Sequence, residues 1–243
     1  MKSGERMFEK YFDIGYLWGA FPQLLPYLKI TFAVAGLAVF FGTLLGLVLA
    51  FMKMGKSRVL QVIAHGYTTI MRCTPSIVLL FLVYYGVPFL ADSLFNVNLQ
   101  NIYTGVFVVI TFSLQFAAMM SEVTRSAIQS IDKGQFEAAV SVGLTPWQAY
   151  RRIIFPQAFV VALPNFGNGL IAILQEGALA YTIGFIDIVG KANLIIASNF
   201  NSHALEIYIA LAVIYWVISI VIEKIFELLE KTFSKGSRSI KAS

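Results

Sequence analysis

Few residues in this chain are equipped to do chemistry, and several stand where charge is expensive. Glu176 follows an uncharged run from Ile153 to Gln175, and an ionisable group in an apolar run is costly and usually functional. It stands on a span broken by Gly177, and such a break frees backbone groups that can line a polar cavity; the other reading pairs Glu176 with neighbouring backbone or with Arg72, so that it only fixes its helix. Arg72 is the sole charge between Val59 and Ala91. It reads equally as a group for a substrate carboxylate and as the inner start of a shorter span from Cys73 to Ala91. Glu122 and Arg125, three apart on one helical face, pair with each other and suit a gate or structural scaffold better than a ligand contact. His65 and His203 are far apart with no second ligand pattern near either, so no metal site and no cofactor are expected. Cys73 is the only cysteine, which excludes an internal disulfide. With two isolated histidines and one cysteine, few catalytic sets can be assembled.

One run imitates a phosphate loop. Ala50-Phe51-Met52-Lys53-Met54-Gly55-Lys56-Ser57 satisfies a permissive form of the pattern, with alanine for the first glycine. A working phosphate loop follows a buried strand and opens a helix, its backbone amides cradling the phosphates. This one ends an apolar run. ATP, if used, is handled by another polypeptide.

The elements that must position these residues are membrane helices. The chain is 58% hydrophobic and 13% charged, against about 25% charged in soluble domains. A helical span needs roughly 20 mostly apolar residues. Charges are absent from Ile30 to Met52, Ser93 to Ser121, Ile153 to Gln175 and Ile207 to Ile222, and only Arg72 interrupts Val59 to Ala91. Five spans follow: Leu25 to Met52, Val59 to Phe89 with a kink or break near Arg72–Pro75, Tyr103 to Ala127, an irregular fourth from Ile153, and Leu205 to Phe233. The net charge of +5 concentrates at Lys53, Lys56 and Arg58, at Arg151 and Arg152, and from Lys224 to Lys241. Positive loops face the cytoplasm, so the amino terminus is expected outside and the carboxyl terminus inside, with no nucleic-acid partner. The fold expected is an all-α membrane protein in the plasma membrane. Residues 1–23 read as an amphipathic segment at the outer interface, 24–233 as one transmembrane domain and 234–243 as a basic tail. Gly42 and Gly46 form a close-packing spacing that suits helix contact within the subunit.

The cytoplasmic loop, residues 129–156, carries its own helical pattern. Asp132 opens a short helix over Gln135 to Val142, and Gly143 ends it. Thr145 then caps a second helix, with Pro146 at its first position and Gln148 completing a capping box. Two short helices at an angle make either a rigid knob or an ordinary connector resting on the bilayer. For the knob, Ala138, Ala139 and Gly143 are small enough to enter a partner's groove, and Glu137 offers a charge to be read there.

Glu137-Ala138-Ala139, then Gly143, then Ile153-Ile154-Phe155-Pro156 resembles the EAA loop of ABC-importer permeases, with Phe155 in place of the usual leucine. Arg72-Cys73-Thr74-Pro75, Glu122 through Arg125, Lys133-Gly134-Gln135, Pro156-Gln157-Ala158 and Leu163-Pro164-Asn165 extend the likeness to the polar amino acid permeases, over about residues 20 to 233. The resemblance implies a permease subunit, not an enzyme, that carries an amino acid by alternating access. It implies docking of an ATP-binding cassette ATPase dimer at Glu137, Ala138, Ala139, Gly143 and Pro156. It also implies a second permease copy, identical or paralogous, and an extracellular solute-binding protein. It places substrate near Gln175, Glu176 and Leu179, with Arg72 a further candidate. Where the family commonly has Lys-Asp-Thr-Ser-Leu, this chain has Gln175-Glu176-Gly177-Ala178-Leu179. The neutral Gln175 favours a zwitterionic substrate, cystine or another polar amino acid, over a cationic one. The alternative function is an ion-gradient-driven secondary transporter with Glu176 carrying a proton; the absence of an internal repeat opposes it.

Overall fold

A computed structural model describes residues 12–99 and 101–238, the last four by backbone alone. The charged stretch before Phe12 and the end of the basic tail lie outside these. Helix α1 spans Ile14–Leu24, and its amino end is closed by Asp13, whose side chain accepts the Tyr16 amide at 3.1 Å. A 3-10 turn at Leu25–Tyr27, where Pro26 provides no amide hydrogen, leads into α2, Leu28–Met54. Then come α3, Arg58–Cys73, and α4, Ser76–Phe95. Helix α5 is Thr104–Gln129, α6 Lys133–Ser141 and α7 Pro146–Ala149. A π turn, Tyr150–Ile154, runs into α8, Phe155–Glu176, which tightens to a 3-10 helix at Gly177–Ile183. Helix α9 is Ile188–Ser198 and α10 is Ala204–Arg238. Among the described residues there is no strand.

Among the described residues five stretches are long and apolar enough to cross a membrane: Ile14–Met54, Ser76–Phe95, Thr104–Gln129, Pro146–Ile183 and Ala204–Ser234. The break expected near Arg72–Pro75 in the stretch from Val59 to Phe89 is present. Pro75 lacks an amide hydrogen and drives the residue before it out of the helical region; Thr74 is accordingly extended, at φ −90° and ψ 123°. The stretch therefore breaks into α3 and α4, and only α4 qualifies as a span. Helix α3 is amphipathic, burying Ala64 and Thr68 while exposing Val59, Val62, Ile63 and Ile70. The shorter of the two spans considered for this stretch is the one formed, and it starts at Ser76.

Packing divides the chain into two units. Of the described residues, the first takes 12–37, 76–99, 101–111 and 173–220. Its core joins Ala20 and Leu24 of α1 to Ile188, Ala192 and Ile196 of α9 and to Ile207, Ala210 and Ile214 of α10. A polar strap ties the start of α1 to the α9–α10 turn. The Asp13 amide donates to Glu206 Oε1 at 2.8 Å, Asn199 Nδ2 donates to the Tyr16 hydroxyl, and the Tyr16 ring stacks on His203 at 4.0 Å.

The second unit comprises Ala38–Pro75, Phe112–Ala172 and Val221–Ser243. Gly42 and Gly46 decide how closely α2 approaches α5. A Cβ on Gly42 would lie 2.8 Å from Phe116 Cβ, and one on Gly46 would lie 2.7 Å from Met120 Cβ and 3.0 Å from the Ala117 carbonyl. The close-packing spacing is thus spent inside the subunit. Phe166 packs edge-on to Phe116 and tilted against Phe226, joining α5, α8 and α10. Gly46→Leu should overpack this seam by about 1–3 kcal/mol and lower the melting temperature in detergent. Gly36→Leu, at a glycine with nothing within 4 Å, should melt as the parent does. Equal melting of all three proteins would contradict the close approach.

Candidate functional site

The loop between α5 and α8 is built by local rules. Asp132 Oδ1 accepts the Gly134 amide at 2.6 Å and opens α6. Gly143, at φ +89°, closes it in the left-handed region where side chains are strained. Thr145 and Gln148 complete a capping box, the Gln148 amide donating to Thr145 Oγ1 at 3.3 Å and the Thr145 amide to Gln148 Oε1 at 2.9 Å. Pro156 then sits in the first turn of α8. A proline ring presses on the carbonyl four residues back, and the wider π turn at Tyr150–Ile154 opens the backbone just there, with the Phe155 amide reaching the Tyr150 carbonyl. Aromatic rings seat the assembly: Phe136 on Tyr150, Tyr150 and Trp147 on Phe155, and Phe155 on Phe51 of α2.

The result is a braced projection with a definite outer face. Glu137, Ala138 and Gly143 are exposed, and no partner holds the Glu137 carboxylate among the described residues. Ala139 is 3% exposed and faces inward, so it serves the seating of α6 rather than its outer surface. Val142 and Trp147, which the sequence pattern did not single out as surface residues, are 80% and 65% exposed. An apolar rim around one carboxylate suits a protein partner.

Beneath this loop lies a charge cluster only half of which was expected. Glu122 and Arg125 do pair, Arg125 Nε and Nη2 donating to Glu122 Oε2 at 3.0 and 2.8 Å. Glu122 Oε1, however, accepts from Lys53 Nζ at 2.5 Å. The Lys53 side chain is fully buried and also donates to Thr68 Oγ1 and Ser121 Oγ, each at 2.9 Å. Lys53 had been read as a topology charge. Its partners lie 15 to 69 residues away in sequence, so no local pattern points to them.

The other candidate residues gather at the end of α8. Glu176 is its last residue and is half-buried, Gln175 is exposed, and Leu179 is half-buried on the 3-10 helix. The Glu176 carboxylate has no hydrogen bond or ion pair among the described residues. Asp187, missed in the sequence, is 2% exposed; it caps α9 by accepting the Val189 and Gly190 amides at 3.0 Å and takes a bond from Thr31 Oγ1 at 3.3 Å. Burial pushes its carboxyl above the usual range, against the pull of those donors. A Cβ on Gly177 would lie 3.9 Å from Asp187 Oδ2, which sets a second carboxylate near the break after Glu176. Arg72 is exposed in the last turn of α3, without an ion pair among the described residues. Among the described residues no three His, Cys, Asp or Glu are grouped to hold a metal ion.

The loop carries its own test. Gly143→Val should cost about 1–3 kcal/mol of backbone strain and speed amide exchange across residues 133–149, whereas Gly143→Asn, better tolerated at positive φ, should exchange closer to the parent rate.

Comparison with known proteins agrees with this architecture. The family model described as "Binding-protein-dependent transport system inner membrane component" matches residues 42–235. The L-cystine transport system permease protein TcyL of Bacillus subtilis is 38% identical over 232 residues, 96% of each chain. The nopaline transport system permease protein NocM of Agrobacterium fabrum is 33% identical, over 90% of each chain. The crystal structure of an amino acid ABC transporter with histidines superposes with a TM-score of 0.79 at 33% identity, covering 90% of this chain and 98% of that one. The MetNI methionine transporter, at 18% identity and a TM-score of 0.64, shares the fold. With five apolar spans, a doubly capped loop, a family match over most of the length and relatives aligned nearly end to end, the chain belongs to the family of binding-protein-dependent transport system inner membrane components, the permease subunits of ABC importers.

Proposed function

We propose that this permease carries a polar amino acid inward, driven by ATP hydrolysis on a separate ATPase subunit dimer that grips the α6–α7 loop. The observation that carries the reading is the loop itself: two short helices, each closed by its own caps, presenting Glu137, Ala138 and Gly143 on an exposed face rimmed by Val142 and Trp147. A lever must be stiff, and caps, a positive-φ glycine and an aromatic base are what stiffen a loop. In this reading the loop faces the cytoplasm, a second permease copy completes the pore, and an extracellular solute-binding protein delivers the substrate. Glu176, half-buried and unpaired where α8 tightens, receives the substrate ammonium, with Gln175 and Leu179 beside it and Arg72 a further candidate for a carboxylate. A neutral Gln175 and the resemblance to a cystine permease favour a zwitterionic substrate such as cystine.

Uptake of labelled cystine into vesicles holding the permease and its ATPase should persist when ion gradients are collapsed and stop when ATP is withheld; uptake that follows the gradient instead would favour a secondary transporter. Glu137→Lys should cut copurification of the ATPase at least ~tenfold, since a reversed charge in a docked face costs several kcal/mol, while membrane insertion is unchanged. Glu176→Gln should leave assembly intact and weaken apparent substrate affinity about 10–100-fold, the size of a lost hydrogen bond to a charged group; unaltered transport kinetics would remove it from the substrate site.

A further inference from the structure

The buried cation at Lys53 has no role in the reading above, and its surroundings are unusually complete. Its ammonium makes three hydrogen bonds, to Thr68 on α3 and to Ser121 and Glu122 on α5, while the residue itself belongs to α2. An ammonium has three protons to donate, and all are used. Glu122 is shared: one oxygen takes Lys53, the other takes Arg125. Arg125 Nη1 in turn donates to Gln129 Oε1 at 2.7 Å. Gln129 is the last residue of α5, and Asp132, the cap of α6, follows three residues later. One chain of polar contacts thus runs from α2 and α3 along α5 to the foot of the projecting loop.

Stability alone does not account for such a cluster. Desolvating a lysine is costly, and buried ion pairs are often no more stabilising than apolar groups of the same volume; their best-attested use is to fix register between elements. The geometry here is that of a register lock. Helix α2 already meets α5 along the glycine seam, where contact is apolar and could slide by a small step. Lys53 removes that freedom, because a shift of either helix would strand a buried ammonium and unpair the half-buried carboxylate of Glu122. It also binds α3, whose Ala64 packs against Leu49 and Ala117 and whose Tyr67 hydroxyl donates to the Leu114 carbonyl at 2.9 Å, by a directional polar contact at Thr68.

We propose that Lys53 is a positioning residue for transport: through Glu122 it makes α2, α3 and α5 move as one body with the loop, so that force applied at α6 is delivered to the spans. The inference rests on the importer reading, in which an ATPase pulls on that loop. Without the lock the loop still docks, but the pull is lost in slippage between helices. ATP is then consumed with little transport.

The test uses the intact assembly of permease and ATPase in proteoliposomes, with hydrolysis and cystine uptake measured on the same preparation. Lys53→Met should copurify with the ATPase as the parent does and hydrolyse ATP at a similar rate, while the ATP consumed per cystine imported rises at least ~fivefold, the lower end of typical coupling factors. Lys53→Arg, which keeps the charge, should recover much of the coupling. Glu122→Gln retains the shape and an acceptor, so it assembles even if the methionine variant does not; it should show the same change in ratio to a smaller degree. If hydrolysis and uptake fall in proportion, or the ratio stays at the parent value in Glu122→Gln, Lys53 is structural only and the proposal fails. Failure of the importer reading would look different, since the parent protein itself would then show no ATP-dependent uptake.

Discussion

In hydrocarbon a backbone amide or carbonyl has no water to turn to, so every break in a helix must bring its own partners. That constraint organises this structure. The long helices satisfy themselves, and what distinguishes them is how each interruption is closed. The same demand is met even where the chain is exposed: after Gln129 it leaves α5 through Asp132, whose carboxylate takes the Gly134 amide of α6. After Ile183 it turns through Gly184 and re-enters a helix at Asp187, whose carboxylate takes two amides of α9. After Cys73 the break belongs to Pro75, which has no amide to satisfy. Each break carries either a short acceptor side chain or a residue with one demand fewer.

This explains which features were legible in the sequence. Span existence was plain, because absence of charge over twenty residues is a one-dimensional signal. Loop architecture was plain too: Asp132, Gly143, Thr145, Pro146 and Gln148 act within four residues of themselves, and the structure places each in the capping role its type suggests. The break in the second span was legible for an equally local reason. Pro75 restricts Thr74 to extended backbone, while the amphipathic character of α3, which carries Gln61, His65 and Arg72 among its apolar residues, shows in the structure.

Long-range chemistry was not legible. Lys53 stands near Lys56 and Arg58 in a basic turn that charge topology predicts anyway, and nothing nearby distinguishes a buried ammonium from a solvated one. Its carboxylate is 69 residues distant. Asp187 is the same case in the other unit, its Thr31 partner 156 residues away. Glu176 was found because it interrupts a long neutral run, but whether its carboxylate was already paired depended on contacts that spacing cannot supply.

The two kinds of helix end also differ in what they leave open. At the α6–α7 loop each terminal demand is met: caps at both starts, a left-handed glycine between, a π turn ahead of Pro156, rings packed beneath. Such a segment has little internal freedom, and a load on it passes to its base. At the end of α8 the helix tightens from α to 3-10 geometry, and a half-buried carboxylate is left without a partner. A half-buried carboxylate without a protein partner is free to accept a hydrogen bond or an ion pair from outside the chain. Satisfied polar groups therefore mark where this chain is stiff, and the unpaired carboxylate at Glu176 is the opposite case, which is why the proposed substrate contact is placed there.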